Sequence, residues 1–173
     1  MQFFQKKDLD KLNKDLIDPN TQLYNKTALY FLMSHILLQH ERYEDNYSFI
    51  IFDCSTNHSV RSNCNSLSQS QVDRVVAKKL KNICRRSDII FHCDDGIFCI
   101  LTRVFEGDDT VIFCEKITKN LKELESENCK IEVIPKYGIT FSVANDTPEE
   151  FAQRSYDALN KALEKKENII IRT

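Results

Sequence analysis

Apolar residues along this chain fall into two patterns. Short apolar runs occupy residues 49–52, 89–91, 97–101 and 169–171, while in longer segments such as 3–17 and 72–83 apolar positions recur at helical spacing among polar and charged residues. The first pattern predicts strands covered on both faces and the second amphipathic helices. The runs 89–91 and 97–101 flank Asp94-Asp95-Gly96. An Asp-Gly pair between apolar runs predicts a hairpin on a tight primed turn, where Gly, and Asp tolerably, accepts positive φ. Because neither run alternates with polar residues, the hairpin is expected at the centre of its sheet.

The remaining elements follow from the same pattern. Phe3, Phe4, Leu9, Leu12, Leu16 and Ile17 predict an amphipathic helix over 3–17, broken by Asp18-Pro19-Asn20. A second helix is expected over 21–40, with 41–46 as a loop. Residues 48–53 form a buried strand ending on a carboxylate, and the Ser- and Asn-rich stretch 55–70 reads as a loop or irregular helix. Val72, Val75, Val76, Leu80 and Ile83 mark a helix to about Arg85. Glu106-Gly107-Asp108-Asp109 closes the second hairpin strand. A helix then carries Val111, Phe113, Ile117, Leu121 and Leu124, and residues 131–143 make a strand region. Thr147, Pro148 and Glu150 fit a capping box with Pro in the first turn, opening a helix to about Lys166. From the first buried strand the order is β-α-β-β-α-β-α-β. The fold class is an α/β (α+β) sandwich with a ferredoxin-like βαββαβ core and a sheet containing antiparallel strands.

Composition narrows the function classes. The 173 residues suit one domain, here 18–173, preceded by the helix of 1–17. A net charge of -2 gives no footprint for nucleic acid or an anionic membrane. No run approaches a membrane span, and the first residues lack the apolar stretch of a signal peptide. The seven cysteines are scattered singly without a Cys-x-x-Cys pair. They read as reduced thiols in a cytoplasmic protein, with no zinc site. His35, His40 and His58 have no metal-ligand spacing, and His92 reads as a strand residue rather than a base. No Gly-x-Ser-x-Gly elbow occurs, so a hydrolase is set aside.

Taken in order, several segments resemble the GGDEF domain of diguanylate cyclases over about residues 18–172. Asp18-Pro-Asn-Thr21-Gln-Leu23-Tyr-Asn25-Lys26 is similar to the family's opening motif, and Phe49-Ile-Ile-Phe-Asp53 resembles its first strand and terminal Asp. Arg85-x-x-Asp88, five residues before the turn, matches the spacing of its inhibitory-site motif. Tyr137-Gly138-Ile139 and the helix from Ser155 to Ala162 resemble its later strand and helix.

The resemblance implies a nucleotide site, and the residues depart from it. The family's two Gly let the backbone approach GTP, and its following acids, with the strand Asp, support catalysis through two Mg²⁺ ions. Here the five positions read Asp94, Asp95, Gly96, Ile97 and Phe98. A carboxylate about 4 Å from a phosphate charge costs about 4 kcal/mol at an effective dielectric near 20. Counting from Asp53, the guanine-reading Asn falls at Arg61 and the guanine-reading Asp near Ser70. The phosphate-binding Lys falls at Leu163 and the following Arg at Glu167. Asp53 alone holds no Mg²⁺. The reading is a catalytically inactive domain with no cofactor and no metal.

What the resemblance leaves is a possible receptor for cyclic di-GMP at Arg85 and Asp88. The Arg fork suits a phosphate or guanine edge, and the Asp accepts from guanine N–H groups. Basic residues at a helix end also favour the helix dipole, so a purely structural role stands beside this one. Two alternatives are a scaffold that binds a protein partner without nucleotide, and a cyclase with displaced ligands at Asp53 and Asp94 or Asp95. Residues 3–17 are a candidate homodimer interface.

Overall fold

The computed structural model describes residues 3–64, 66–104, 107–126 and 128–172. Its elements in order are α1 (Lys6–Leu16), α2 (Lys26–Tyr43), β1 (Tyr47–Asp53), β2 (Val60–Ser62), α3 (Gln69–Ile83), β3 (Ile89–Asp94) and β4 (Ile97–Arg103). They continue with α4 (Gly107–Leu121), β5 (Leu124–Ser126), β6 (Cys129–Val133), β7 (Lys136–Phe141), α5 (Pro148–Lys165) and β8 (Ile169–Arg172). The main sheet has the order β3-β4-β1-β7-β8, and β2, β6 and β5 form a smaller one. β1 lies antiparallel to both β4 and β7. With α3 and α4 these strands are the expected ferredoxin-like core.

The lack of polar alternation in β1 has a direct cause. Ile50 and Phe52 pack with Val72, Val76 and Leu80 of α3 and Ile117 and Leu121 of α4. Phe49 and Ile51, on the opposite face, pack with Leu29, Met33 and Leu37 of α2 and Phe151 and Leu159 of α5. Each such side chain contributes about 1.5–3 kcal/mol on burial. α5 approaches β7 so closely that a Cβ on Gly138 would lie 2.1 Å from the Ser155 carbonyl oxygen and 2.4 Å from the Leu159 nitrogen. The same contact lets the Ser155 hydroxyl donate to the Gly138 carbonyl at 2.8 Å.

Several boundaries differ from the sequence reading. α2 begins at Lys26, where Asn25 accepts from the Ala28 N–H, because Asp18 turns the chain by accepting from the N–H and hydroxyl of Thr21. It then runs through the expected loop to Tyr43 and stops at Glu44, which has φ 56°. The hairpin is not central: β3 is the sheet edge. That edge is covered by the segment before α2, whose Tyr24 carbonyl accepts from the His92 N–H at 2.8 Å. Phe3 and Phe4 lie outside α1. β2 lies inside the expected 55–70 loop, and Leu124 belongs to β5 rather than to the helix. The 131–143 region splits at Ile134-Pro135 into β6 and β7, which serve different sheets. β4 ends at Arg103, Glu106 lies outside the described residues, and Gly107 opens α4. Cys64 and Cys129 form a disulfide with Cα atoms 5.9 Å apart, which corrects the expectation of reduced thiols throughout. Cys54, Cys84, Cys93, Cys99 and Cys114 are free. Among the described residues no helix is long and apolar enough to cross a membrane.

Gly138→Ala is expected to lower stability by about 3 kcal/mol, since the atoms it meets are helix backbone and cannot turn aside. Urea denaturation against the parent checks this.

Candidate functional site

The hairpin turn and the loop after β1 close on each other. Asp94 pairs with Ile97, leaving Asp95 and Gly96 as the two turn residues, with a register shift between His92 and Asp94. Gly96 has φ 73°, whereas Asp95 is not among the residues with positive φ. A turn with positive φ at both positions is therefore not formed. The Gly96 carbonyl accepts from the Cys54 N–H at 2.7 Å. A Cβ at Gly96 would stand 2.8 Å from the Ser55 Cα. Gly here permits both the positive φ and the contact with the β1 loop.

Asp53 ends β1 opposite Ile97 and is 4% exposed. Its Oδ1 accepts from the Ser55 N–H at 3.0 Å, the Ser55 hydroxyl at 2.9 Å and the Ser59 hydroxyl at 2.9 Å. Three donors on one oxygen supply the hydrogen bonds that a carboxylate buried away from water requires. Asp94 and Asp95 stand exposed at the turn, where Asp94 accepts from the Asp95 N–H at 2.9 Å. Ile97 is half-buried, and Phe98 is buried against Phe52 with ring centroids 5.8 Å apart. Among the described residues, no three His, Cys, Asp or Glu side chains gather as a metal-ligand set.

The carboxylate that α3 brings to the turn is Asp73, which the sequence reading did not single out. It is fully buried. Its Oδ2 accepts from the Gly96 N–H at 3.3 Å and lies 3.1 Å from His92 Nε2, while Oδ1 accepts from the Gln69 amide at 2.8 Å. His92 Nδ1 lies 3.0 Å from Asp18 Oδ1. The signal for Asp73 was its place among Val72, Val76, Ala77 and Leu80, on the buried side of α3. Ser70 lies exposed in the first turn of the same helix and donates to Asn20. Arg61 is exposed on β2 beside Glu132. Leu163 is half-buried in α5, and Glu167 is exposed beyond it.

Arg85 and Asp88 meet at the other end of β3, about 17 Å along the strand from the turn. The Arg85 N–H donates to Asp88 Oδ2 at 2.7 Å, the Asp88 N–H to the Arg85 carbonyl at 3.1 Å, and the Thr102 hydroxyl to Asp88 Oδ1 at 2.6 Å. Asp88 thus fastens the α3–β3 connection to β4, and Arg85 stays exposed. Both line a recess of about 50 Å³ with Thr102, Arg103, Thr110 and Phe113. The Thr110 hydroxyl in its wall is buried, with no hydrogen-bond partner among the described residues. Burial pushes the thiols of Cys54, Cys99 and Cys114 up, and that of Cys84 up to about 12, which removes them as neutral-pH nucleophiles.

Comparison with known proteins follows the same lines. Residues 15–169 match the family described as diguanylate cyclase, GGDEF domain. No curated protein sequence matches the chain. Similar in fold is diguanylate cyclase SiaD from Pseudomonas aeruginosa, solved in complex with its activator SiaC. The TM-score is 0.76 at 17% identity, covering 96% of this chain and 66% of that one. The coiled coil and GGDEF domain of DgcB from Caulobacter crescentus, in complex with c-di-GMP, gives 0.74 at 12% identity over 96% and 91% of the two chains. The FimX GGDEF domain from Pseudomonas aeruginosa gives 0.76 at 13% identity over 90% and 98%.

Asp53→Ala is expected to lower stability by about 2 kcal/mol, because it leaves the Ser55 and Ser59 donors unpaired. Millimolar Mg²⁺ is expected to leave the melting temperature of the parent unchanged. Differential scanning fluorimetry checks both.

Proposed function

The chain belongs to the GGDEF domain family of diguanylate cyclases, and we propose that it is a catalytically inactive member acting as a signalling module. The observation that carries this reading is the occupancy of Asp53. Its Oδ1 is taken by Ser55 and Ser59, and the same loop rests on Gly96, in the turn that the family resemblance assigns to the triphosphate. Ile97 offers no oxygen at a position where the family has an acid, and the exposed Asp94 and Asp95 add negative charge beside the phosphate path. The alternative of a cyclase with displaced metal ligands is disfavoured, since Asp53 is buried in its Ser cage while Asp94 and Asp95 are exposed.

The proposed ligand is cyclic di-GMP, met by the exposed Arg85 fork beside Asp88, whose oxygens already accept from the Arg85 N–H and the Thr102 hydroxyl. A second reading, a scaffold for a protein partner, is favoured by exposed apolar residues on the helices. Leu9 and Leu12 of α1 and Phe31 and Leu38 of α2 are exposed, and α1 buries no residue. The same α1 stripe suits a homodimer seam. SiaD, similar in fold, was solved with an activator protein.

Purified protein with GTP and Mg²⁺ or Mn²⁺ is expected to form no cyclic di-GMP above a no-protein blank. Isothermal titration with cyclic di-GMP is expected to show micromolar binding, weakened about ten- to hundredfold in Arg85→Ala, the scale of a charge-assisted contact. Product formation overturns the inactive reading, and absence of heat at any concentration leaves the scaffold.

A further inference from the structure

The Asp18–His92–Asp73 bridge belongs to neither the recess at Arg85 nor the cage around Asp53. Three separate parts of the chain meet in it: the connection between α1 and α2, the edge strand β3, and α3. The imidazole is 8% exposed, with a carboxylate oxygen on each ring nitrogen, at 3.0 and 3.1 Å. Two such bonds require two N–H groups, hence the imidazolium. With one proton gone, a nitrogen lone pair faces a carboxylate, and two largely buried acids share no cation.

Other groups around the imidazole do not replace that cation. On its ring, Phe98 of β4 packs with centroids 4.9 Å apart. Lys81 of α3 donates to the Thr21 carbonyl at 3.1 Å, and Gln69 donates to Asp73 as a neutral amide. Asp94, two residues along β3, is exposed and adds negative charge. Burial alone would push the His92 pKa down, but the hydrogen bond and charge of Asp73, joined by those of Asp18, outweigh it and raise it above the ordinary imidazole value.

The bridge has consequences at both ends. Asp18 begins the segment that covers β3, and Asn25 at the end of that segment holds the last turn of α1, donating to the Leu16 carbonyl from its backbone and to the Asp15 carbonyl from its side chain. Asp73 also receives the turn's Gly96 N–H. We propose that Asp18–His92–Asp73 is a proton-operated latch, which in its protonated form clamps the base of α1 and the 18–24 segment onto the edge of the sheet and in its deprotonated form releases them. The latch is independent of any nucleotide, so it stands or falls separately from the reading of Arg85 and Asp88. A group that binds its proton more tightly when folded contributes its stability at low pH and loses it as pH rises through the folded value. The latch is therefore shut at mildly acidic pH and opens above the ordinary imidazole range.

Hydrogen–deuterium exchange of the full chain at about pH 6 and about pH 8.5, corrected for intrinsic rates, tests this. In the parent, residues 16–26 are expected to exchange roughly tenfold faster at the higher pH, the scale of one charge-assisted hydrogen bond. Residues 48–53, in the central strand, are expected to stay equally protected. His92→Arg, which keeps a cation, is expected to hold 16–26 protected at both values, and His92→Gln to leave it open at both. Equal protection of 16–26 in the parent at both pH values overturns the latch. So does loss of protection at 48–53 together with 16–26, which marks global unfolding. His92→Gln retaining the parent's pH dependence overturns it too, and the parent comparison needs no variant to fold.

Discussion

A strand with no polar face has to be covered twice, and most of this molecule follows from that requirement. β1 carries Phe49 and Ile51 on one side and Ile50 and Phe52 on the other. The pair α3 and α4 covers one face, as in a ferredoxin-like core. The other face would be left wet by that core alone, and α2 and α5 cover it. Gly138 then sets how near α5 can come, because a side chain there would meet the helix backbone itself.

The same strand delivers Asp53 to the candidate site. β1 ends at Asp53 because its partners end there too, with Ile97 on one side and Lys136 on the other. A carboxylate at the last position of a doubly covered strand lies at the boundary between core and loop. In this chain the loop folds back so that Ser55 and Ser59 donate to one of its oxygens. The β1–α3 connection and the hairpin turn thereby become one packed unit, with Cys54 and Ser55 lying against Gly96.

Much of the fold was legible because apolar period and turn chemistry are local. The runs at 49–52 and 97–101, the Asp-Gly turn and the Thr147 capping box each announced an element without reference to the rest. What escaped was non-local. The edge position of β3 depends on sheet order, and its two-sided burial is completed by a tertiary cover from Tyr24 that its own residues do not reveal. β2 has three residues and no apolar run, so only its pairing with β6 defines it. Among the candidate site residues, Asp53, Asp94, Asp95, Arg85 and Asp88 could be named from motif spacing. Asp73 could not, because its partners His92 and Gly96 are nineteen and twenty-three residues away. A carboxylate on the apolar side of a helix was the one trace it left in the sequence.

The Cys64–Cys129 bond divides the chain in a way the sheets do not. It spans 65 positions and encloses α3, the hairpin, α4 and β5, while α1, α2, β1, β7, α5 and β8 lie outside the ring. Closing a ring of that size reduces the entropy of the unfolded chain by the equivalent of about 4 kcal/mol. Drawn out by its two ends, the polypeptide could therefore unspool its central strand and outer helices to full length, yet the loop bearing the hairpin would remain cinched, unable to lengthen until the sulfurs part.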